Sequence, residues 1–325
     1  MLWSHSSPTW SIENMPDLSN RQVVITGANS GIGFEAARIC ADRGARVVLA
    51  CRNEQKAQSA LDRILSANPS AKVESTPLNL ASLTSIRHCA DHLNGRLGHI
   101  DLLFNNAGVM ALPESRTEDG FEMQIGTNHF GHFALTGQVL EAVLAAPAGR
   151  IINITSNAHK MGQMNWQDLH GSKHYRPWPA YAQSKLANLL FTYALQRRLA
   201  AADQSVIAVA AHPGYSATNL PFTTAQMNQS SFQEALVKLG NWVIAQDATE
   251  GALPMLRAAT DPNSQGGEYW GPRGLFEMTG APIEVSSTSR AHSRKDQDRL
   301  WEISVEQTGV DFSAISPPSS PSAQP

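Results

Sequence analysis

The chain has 325 residues, of which 42% are hydrophobic and 16% are charged, with a formal net charge of -3. This balance is typical of a folded domain with a sizeable core and excludes a disordered chain. It provides no basic field for nucleic acid, no apolar run is long enough to cross a bilayer, and the N-terminus does not resemble a signal peptide. Three scattered cysteines without a Cys-x-x-Cys pair favour reduced thiols and a cytoplasmic protein.

Strand-like and helix-like patterns alternate along the chain. Strands are predicted over 22–26, 46–51, 71–79, 100–104, 150–155, 206–211 and 267–270. Helices are predicted over 34–43, 54–67, 82–93, 118–133, 134–144, 180–199 and 248–259. This alternation predicts an α/β fold: a doubly wound parallel sheet of the Rossmann type, with helices on both faces, in a single domain.

Polar, turn-rich ends flank that domain. The domain is expected over 19–300, with an N-terminal arm over 1–18 that lies on the surface or is disordered. Substrate loops are expected near 157–180 and 215–246. A tail over 313–325, rich in serine and proline, is predicted to be disordered because it cannot bury apolar surface.

Three glycines follow the first predicted strand in the run Thr26-Gly-Ala-Asn-Ser-Gly-Ile-Gly33. A strand, a glycine turn and a helix open a dinucleotide-binding unit. Gly27 allows a sharp turn, Gly31 allows the backbone to approach a pyrophosphate, and Gly33 allows the helix to pack closely on the sheet. The unpaired N–H groups of the first helical turn would face the phosphates.

The end of the second predicted strand bears on the choice of nucleotide. It reads Ala50-Cys-Arg-Asn53 and contains no carboxylate. At this place an acidic residue binds the ribose 2′-hydroxyl of NAD, whereas an arginine accommodates the 2′-phosphate of NADP. Arg52 therefore favours NADP(H); the alternative is a solvated surface arginine.

A tyrosine and a lysine, Tyr181 and Lys185, stand at positions i and i+4 of a predicted helix and so share one face. A tyrosine with a pKa of about 10 is a poor base at neutral pH, but a nearby positive charge favours the phenolate. Such a pair can exchange a proton with an alcohol oxygen while a hydride moves to or from nicotinamide. Ser156 follows the fifth strand, where open α/β sheets bind ligands, and Asn128 interrupts a helical pattern.

These motifs, in this order and spacing, resemble the short-chain dehydrogenase/reductase family over residues 20–285. The resemblance rests on Thr26–Gly33, Asn105-Asn-Ala-Gly108, Asn128, Ser156, Tyr181-x-x-x-Lys185 and Pro213-Gly214. Further features resemble its retinol dehydrogenase-like branch and the bacterial relatives of that branch: Leu49-Ala-Cys-Arg52, Asn128-His-Phe-Gly-His132, Ser156-Asn-Ala-His159 and Ser184-Lys-Leu-Ala-Asn188.

The resemblance implies a role for each catalytic residue. Tyr181 would be the general acid/base, and Lys185 would lower the pKa of Tyr181 and hold the nicotinamide ribose. Ser156 would orient the carbonyl, and Asn128 would support a water-linked proton relay.

No metal is expected, because the spaced histidine pairs have no third ligand at a suitable interval.

The resemblance also implies the cofactor contacts. Asn105 and Gly108 would line the adenine side, and Pro213-Gly214 with Thr218 the nicotinamide side. Asn79 stands where the family commonly has Asp, which predicts weakened recognition of the adenine amino group. The predicted cofactor-binding residues are Gly27, Asn29, Ser30, Gly31, Ile32, Gly33, Arg52, Asn79, Leu80, Asn105, Ala107, Gly108, Tyr181, Lys185, Pro213, Gly214 and Thr218.

Large apolar residues cluster around the catalytic motifs. They are Met161, Met164, Trp166 and Trp178 before Tyr181, and Phe222, Met227, Phe232 and Trp242 after Pro213. They indicate ordinary packing, the subunit interface of a homo-oligomer, or an apolar pocket for a lipophilic small-molecule substrate.

The sequence thus predicts an NADP(H)-dependent oxidoreductase that interconverts a lipophilic alcohol and its aldehyde or ketone. Two alternatives are an NADPH-dependent reductase of a carbon–carbon double bond and a non-catalytic NADP(H)-binding regulatory module. The chain retains the full set Asn128, Ser156, Tyr181 and Lys185. This argues against the regulatory module, because a non-catalytic protein does not need all four residues.

Overall fold

The computed structural model of the protein describes residues 9–214 and 248–315. The predicted loop over 215–246 lies outside the described residues, and so do Thr218, Phe222, Met227, Phe232 and Trp242. The same holds for the first eight residues of the predicted arm and the last ten of the predicted tail.

Within the described residues, eight strands form one sheet in the order β3-β2-β1-β4-β5-β6-β7-β8. The strands are β1 Gln22–Thr26, β2 Arg46–Cys51, β3 Lys72–Pro77, β4 Leu102–Asn105, β5 Arg150–Ile154, β6 Ile207–Ala211, β7 Tyr269–Pro272 and β8 Pro282–Glu284. The first seven run parallel, and β8 runs antiparallel to β7.

Helices cover both faces of this sheet. They are α1 Gly31–Asp42, α2 Glu54–Ala67, α3 Leu83–Arg96, α4 Met123–Ile125, a π-helix Gly126–Phe130, α5 Gly131–Gln138, α6 Leu140–Leu144, α7 Pro177–Ala201, α8 Ala248–Thr260 and α9 Arg294–Thr308. Short 3₁₀ helices span Ile12–Asn14, Asn157–Met161, Leu275–Glu277 and Ser313–Ile315. None of the helices in the described part of the chain is both long and apolar enough to span a bilayer.

The core has one layer on each side of the sheet, because successive strand residues point to opposite faces. Val23 and Ile25 pack with α1, α2 and α8, whereas Val24 packs on the other side with α3, α5 and α7. Inner strands such as β2 and β6 are buried on both faces and are therefore almost continuously apolar, as expected for parallel strands, whereas the edge strand β3 is mostly polar and largely unburied. The predicted doubly wound α/β fold is confirmed.

The largest local difference from prediction lies in the helix expected over 118–133. The chain first makes an antiparallel bridge between Arg116 and Glu122, and helix begins only at Met123. The Glu122 carboxylate accepts hydrogen bonds from the N–H groups of Gln124 and Ile125, which caps the helix at that point. The following π-helix has the Asn128 that made the helical pattern weak.

Two C-terminal elements, β8 and α9, were not predicted. β8 has only three residues, too few for a strand pattern. α9 begins with a charged run and buries few side chains, among them Leu300 and Ser304. It is held by an aromatic cluster in which Trp301 lies 5.2 Å from the Phe133 ring and 4.6 Å from the Phe312 ring, measured between centroids.

Both predicted flanking segments pack against the domain where the structure describes them. Trp10, Met15 and Leu18 are buried in the core layer of α1. The Arg43 guanidinium donates to the Ile12 carbonyl at 2.6 Å and also to the Met15 carbonyl. At the other end Ile315 is buried, so the tail over 313–325 begins with an ordered turn.

Candidate active site

The glycine turn has the geometry that its motif predicts. Gly27 has a φ of +67°, and a Cβ there would lie 2.9 Å from the Ala107 Cβ. A Cβ on Gly33 would lie 2.4 Å from Asn106 Nδ2 and 2.7 Å from the Gly27 carbonyl oxygen. Gly31 has a φ of +58°, but a Cβ there would meet no described atom within 4 Å. The turn is therefore tightly packed at Gly27 and Gly33 and open at Gly31.

Thr26 connects this turn to the segment after β4, a role that the sequence did not reveal. Its buried Oγ1 accepts hydrogen bonds from the N–H groups of Asn106 and Ala107, both at 2.9 Å. Asn106 Nδ2 donates to the Thr26 carbonyl at 2.8 Å. The signal in the sequence is a threonine at the end of an apolar strand. Its hydroxyl is fully buried in the structure, and a buried hydroxyl requires hydrogen-bond partners.

Asn105 does not behave as expected of a residue on the adenine side. Its buried amide donates to Thr136 Oγ1 at 2.9 Å and to Asn153 Oδ1 at 2.8 Å. Asn153 in turn donates to Thr192 Oγ1 at 3.0 Å. The Asn105 side chain therefore ties β4 to β5, α5 and, through Asn153, α7, while Ala107 and Gly108 lie nearer the surface.

The predicted adenosine end lies at the carboxyl ends of β2 and β3. Arg52 is exposed and makes no ion pair with any described residue, while its neighbour Asn53 caps α2 by accepting from the Lys56 N–H at 2.8 Å. Asn79 donates to Glu118 Oε1 at 3.1 Å and accepts from the Ala81 N–H at 3.2 Å. A carboxylate thus stands beside Asn79 after all, supplied by a residue distant in sequence. Leu80 is buried and lies against Gly131.

The structure brings Ser156, Tyr181 and Lys185 together at the carboxyl end of β5. Tyr181 and Lys185 are both buried, and Lys185 Nζ lies 5.7 Å from the centroid of the Tyr181 ring. The Ser156 side chain lies near the Tyr181 hydroxyl, and Lys185 Nζ donates to the Ile154 carbonyl at 3.1 Å. Trp178 packs edge-on against Tyr181, with 6.2 Å between ring centroids.

Burial dominates the acid–base properties of this group. It raises the pKa of Tyr181 to about 12, although the neighbouring Ser156 hydroxyl opposes the shift. Burial also lowers the pKa of Lys185 to about 8. Among the protein groups alone, Lys185 does not lower the Tyr181 pKa as the resemblance implied, and Tyr181 is a phenol at neutral pH.

Asn128 is completely buried, and its side chain is fully used by the protein. Its Oδ1 accepts from the Val109 N–H at 2.8 Å, and its Nδ2 donates at 2.9 Å both to the Val109 carbonyl and to Ser184 Oγ. A Cβ on Gly108 would lie 3.1 Å from Asn128 Oδ1 and 3.5 Å from Lys185 Nζ. Asn128 therefore fixes the segment after β4 against α7 beside Lys185.

His132 links this region to the glycine turn and was not predicted to do so. Its Nδ1 lies 3.0 Å from the Asn128 carbonyl oxygen and its Nε2 lies 2.9 Å from Thr26 Oγ1. A proton on Nδ1 and a bare Nε2 satisfy both contacts. Burial lowers the pKa of His132 to about 4, so the ring is neutral at physiological pH.

The predicted nicotinamide side is formed by the turn after β6. Gly214 has a φ of +89°, and a Cβ there would lie 2.5 Å from the Met278 carbonyl oxygen. A Cβ on Gly251 would lie 3.0 Å from Ile32 Cγ2 and 3.6 Å from the Pro213 Cβ. Pro213 and the glycine turn therefore meet across α8.

The large apolar residues before Tyr181 divide into two groups. Trp166 and Met164 pack against the core near α9, and Trp166 Nε1 donates to Asp296 at 3.1 Å. Trp178 packs against Tyr181, and Met161 is 56% exposed. The packing interpretation is therefore confirmed for Trp166 and Met164, and the pocket interpretation stays a prediction.

Comparisons with known proteins show the family to which the chain belongs. A family model described as short chain dehydrogenase matches residues 21–229. The chain is 36% identical to retinol dehydrogenase 12 of Mus musculus over 297 residues, 91% of this chain and 88% of that protein. It is 34% identical to polyprenol dehydrogenase of Homo sapiens over 304 residues, 91% of this chain and 87% of that protein. A crystal structure of an uncharacterised protein from Mycobacterium paratuberculosis is 40% identical, with a TM-score of 0.78, and the match covers 94% of this chain and 99% of that chain.

Proposed function

Since the chain belongs to the short-chain dehydrogenase/reductase family, in its retinol dehydrogenase-like branch, we propose that it interconverts a lipophilic alcohol and its aldehyde or ketone with NADP(H). The family assignment supports alcohol–carbonyl oxidoreduction. The observation that carries the finer proposal is the convergence of Ser156, Tyr181 and Lys185 at the carboxyl end of β5.

Each of these side chains has a task that its position suits. In the reductive direction, the Ser156 hydroxyl holds the carbonyl oxygen and the Tyr181 phenol donates a proton to that oxygen. The Lys185 ammonium then stabilises the phenolate that remains. A bound nicotinamide supplies the hydride in this direction and accepts it in the other. Asn128 acts through its contacts, since it holds Val109 and Ser184 beside Lys185.

The residues present fit NADP(H). Gly31 leaves open space at the start of α1, where helix N–H groups favour phosphate. Arg52, exposed and without an ion-pair partner among the described residues, is suited to a 2′-phosphate. An arginine–phosphate contact contributes roughly 1.5–3 kcal/mol, which corresponds to roughly a tenfold to hundredfold preference for NADPH.

A lipophilic substrate is supported by two observations. Trp178 stands directly against Tyr181 and offers an apolar wall where the substrate oxygen would lie. The relatives named retinol dehydrogenase 12 and polyprenol dehydrogenase are named after long apolar alcohols. We therefore place this protein's substrates among apolar alcohols, aldehydes and ketones.

The proposal is tested by following NADPH oxidation with a panel of apolar aldehydes, ketones and conjugated enones. Tyr181→Phe removes the proton donor and is expected to lower kcat by roughly a hundredfold to ten-thousandfold while NADPH still binds. Tyr193→Phe is the matched control, because Tyr193 lies on the same helix but its hydroxyl contacts Ser287. Tyr193→Phe should keep kcat within about twofold.

Several outcomes would contradict the proposal. Consumption of enones with saturated products would establish the double-bond reductase instead. Tight NADPH binding without turnover of any panel member would favour the regulatory module. A preference for NADH, or an Arg52→Gln variant with unchanged NADPH affinity, would refute the role of Arg52.

A further inference from the structure

The loop between β7 and β8, residues 273–281, closes against both sides of the candidate site. The Asn157 amide, which follows Ser156, donates to the Phe276 carbonyl at 3.0 Å. On the other side, the Met278 carbonyl oxygen lies where a Cβ on Gly214 would approach to 2.5 Å. The loop therefore touches the turn that carries Ser156 and the turn that carries Pro213 and Gly214.

The backbone of this loop is in a disfavoured conformation. Phe276 and Glu277 have φ values of 54° and 56°, a left-handed conformation that costs free energy in residues other than glycine. Apolar burial does not compensate, because Leu275 is 80% exposed and Phe276 is 70% exposed. The conformation must be held by the polar contacts of the loop.

Glu277 makes the central contacts. Its carboxylate lies 2.9 Å from Lys160 Nζ and 3.1 Å from His212 Nε2. Lys160 belongs to the 3₁₀ helix directly after Ser156, and His212 directly precedes Pro213. The carboxylate thus joins the two turns that flank the site.

The protonation states fit this bridge. The Gly214 N–H donates to His212 Nδ1 at 3.1 Å, which assigns the ring proton to Nε2, facing Glu277. The two atoms are close but not aligned as a hydrogen bond, so we regard the contact as an attraction between the carboxylate and the ring N–H. Burial acts to raise the pKa of Glu277, but the contacts with His212 and Lys160 outweigh it and bring the pKa to about 2. The Glu277 carboxylate is therefore charged at neutral pH.

We infer that Glu277 is a positioning residue for hydride transfer: through Lys160 and His212 it sets the spacing between the Ser156 turn and the Pro213-Gly214 turn. This inference rests on the proposed function, in which Ser156 holds the substrate oxygen and Gly214 lies on the nicotinamide side. With the carboxylate between the two turns, Phe276 and Glu277 adopt a disfavoured backbone conformation, and this conformation costs free energy.

The experiment compares Glu277→Ala, Glu277→Gln and Glu284→Gln in the full chain. Glu284→Gln is the matched control, since Glu284 is exposed at the end of β8 in the same hairpin. Two binding measurements do not depend on turnover: the affinity for NADPH, followed by fluorescence, and the affinity for adenosine 2′,5′-bisphosphate, followed by calorimetry. Two further measurements complete the set. They are the thermal unfolding of each variant and kcat at a temperature at which all variants are folded.

We expect Glu277→Ala to weaken NADPH binding by about tenfold and to lower kcat by about tenfold. Binding of the adenosine fragment, which lacks the nicotinamide, should stay within about twofold. Glu277→Gln keeps one acceptor oxygen but loses the charge and turns an NH2 group toward Lys160 or His212, which are both donors, so it should recover only part of both losses. Glu284→Gln should match the native protein.

A different pattern would overturn the inference. If Glu277→Ala lowers only the unfolding temperature, or weakens both ligands equally, Glu277 supports the fold and not the spacing of the site. Native protein that binds the nucleotides but turns over no carbonyl would refute the proposed function, while the two binding ratios would still decide the role of Glu277. Native protein that binds neither nucleotide would overturn both.

Discussion

The glycine turn and the β7–β8 loop flank the same site, yet they achieve left-handed backbone conformations by different means. In the turn, Gly27 and Gly31 adopt positive φ at little cost because they have no Cβ. In the loop, Phe276 and Glu277 adopt positive φ at a cost and are held by side chains from two other segments. A local conformation built from glycine can be recognised from sequence, whereas one imposed by tertiary contacts cannot.

The sharpest test on the turn side is Gly33→Ala. The added Cβ would lie 2.4 Å from Asn106 Nδ2 and 2.7 Å from the Gly27 carbonyl oxygen, and the backbone oxygen cannot move aside cheaply. We expect a loss of about 3 kcal/mol in the free energy of unfolding, together with loss of NADPH binding. Denaturant unfolding and cofactor fluorescence measure the two effects.

Gly95→Ala is the control for this substitution. Gly95 lies within α3, and a Cβ there would meet no described atom within 4 Å. The alanine should be neutral or stabilising by up to about 1 kcal/mol. Equal behaviour of Gly33→Ala and Gly95→Ala would contradict the tight packing of the turn.

Acid is expected to lower the free energy of unfolding through protonation of His132, which contacts Thr26 at the start of the glycine turn. The pKa of this ring is about 4 in the folded protein and about 6.5 when unfolded, so the unfolded state binds more protons between these values. The stabilisation that comes from keeping His132 neutral is fully present above pH 6.5. It decreases as the pH falls below that value, and the loss levels off below about pH 4. We expect His132 alone to account for a loss of roughly 1–2 kcal/mol between pH 6.5 and pH 5.

The measurement is the slope of unfolding free energy against pH. His132→Gln should reduce this slope in the stated window, whatever its effect on stability at neutral pH. His88→Gln, at an exposed position on α3, should leave the slope unchanged. If the slope survives in His132→Gln, the acid sensitivity comes from His129 and His159, whose pKa values are also lowered by burial.

The smallest effect is expected on the loop side, from Phe276→Gly. Glycine relieves the left-handed conformation and loses little packing, because the Phe276 side chain is 70% exposed. After the entropy cost of glycine, a gain of roughly 0.5–1 kcal/mol remains in the free energy of unfolding. Phe276→Ala removes the same ring but keeps the Cβ, and should not stabilise. A gain in both variants would mean that the aromatic side chain, and not the backbone, is unfavourable here.

The C-terminal part of the chain shows the same limit on sequence-based prediction. α9 begins with charged residues and was not recognised as an element of the domain. It is held in place by long-range contacts: Trp301 packs on Phe133, and Ser304 Oγ lies 2.8 Å from Nε2 of the buried His129, the neighbour of Asn128. Neither partner is close to α9 in sequence.

Sequence alone determined the alternating strands and helices, the α/β fold class, the glycine turn and the identity of Ser156, Tyr181 and Lys185 as a candidate catalytic set. The elements and the glycine turn depend on short-range periodicity and on glycine, and Tyr181 and Lys185 share a single helical turn, all of which are local; Ser156 was singled out by its place after the fifth strand and by the family resemblance. Only the tertiary structure decided that Asn105 serves the sheet, that His132 joins Thr26 to Asn128, and that Glu277 joins Lys160 to His212. Apart from the four-residue contact between His132 and Asn128, each of these contacts connects residues that are distant in sequence and meet only once the sheet and its helices have assembled.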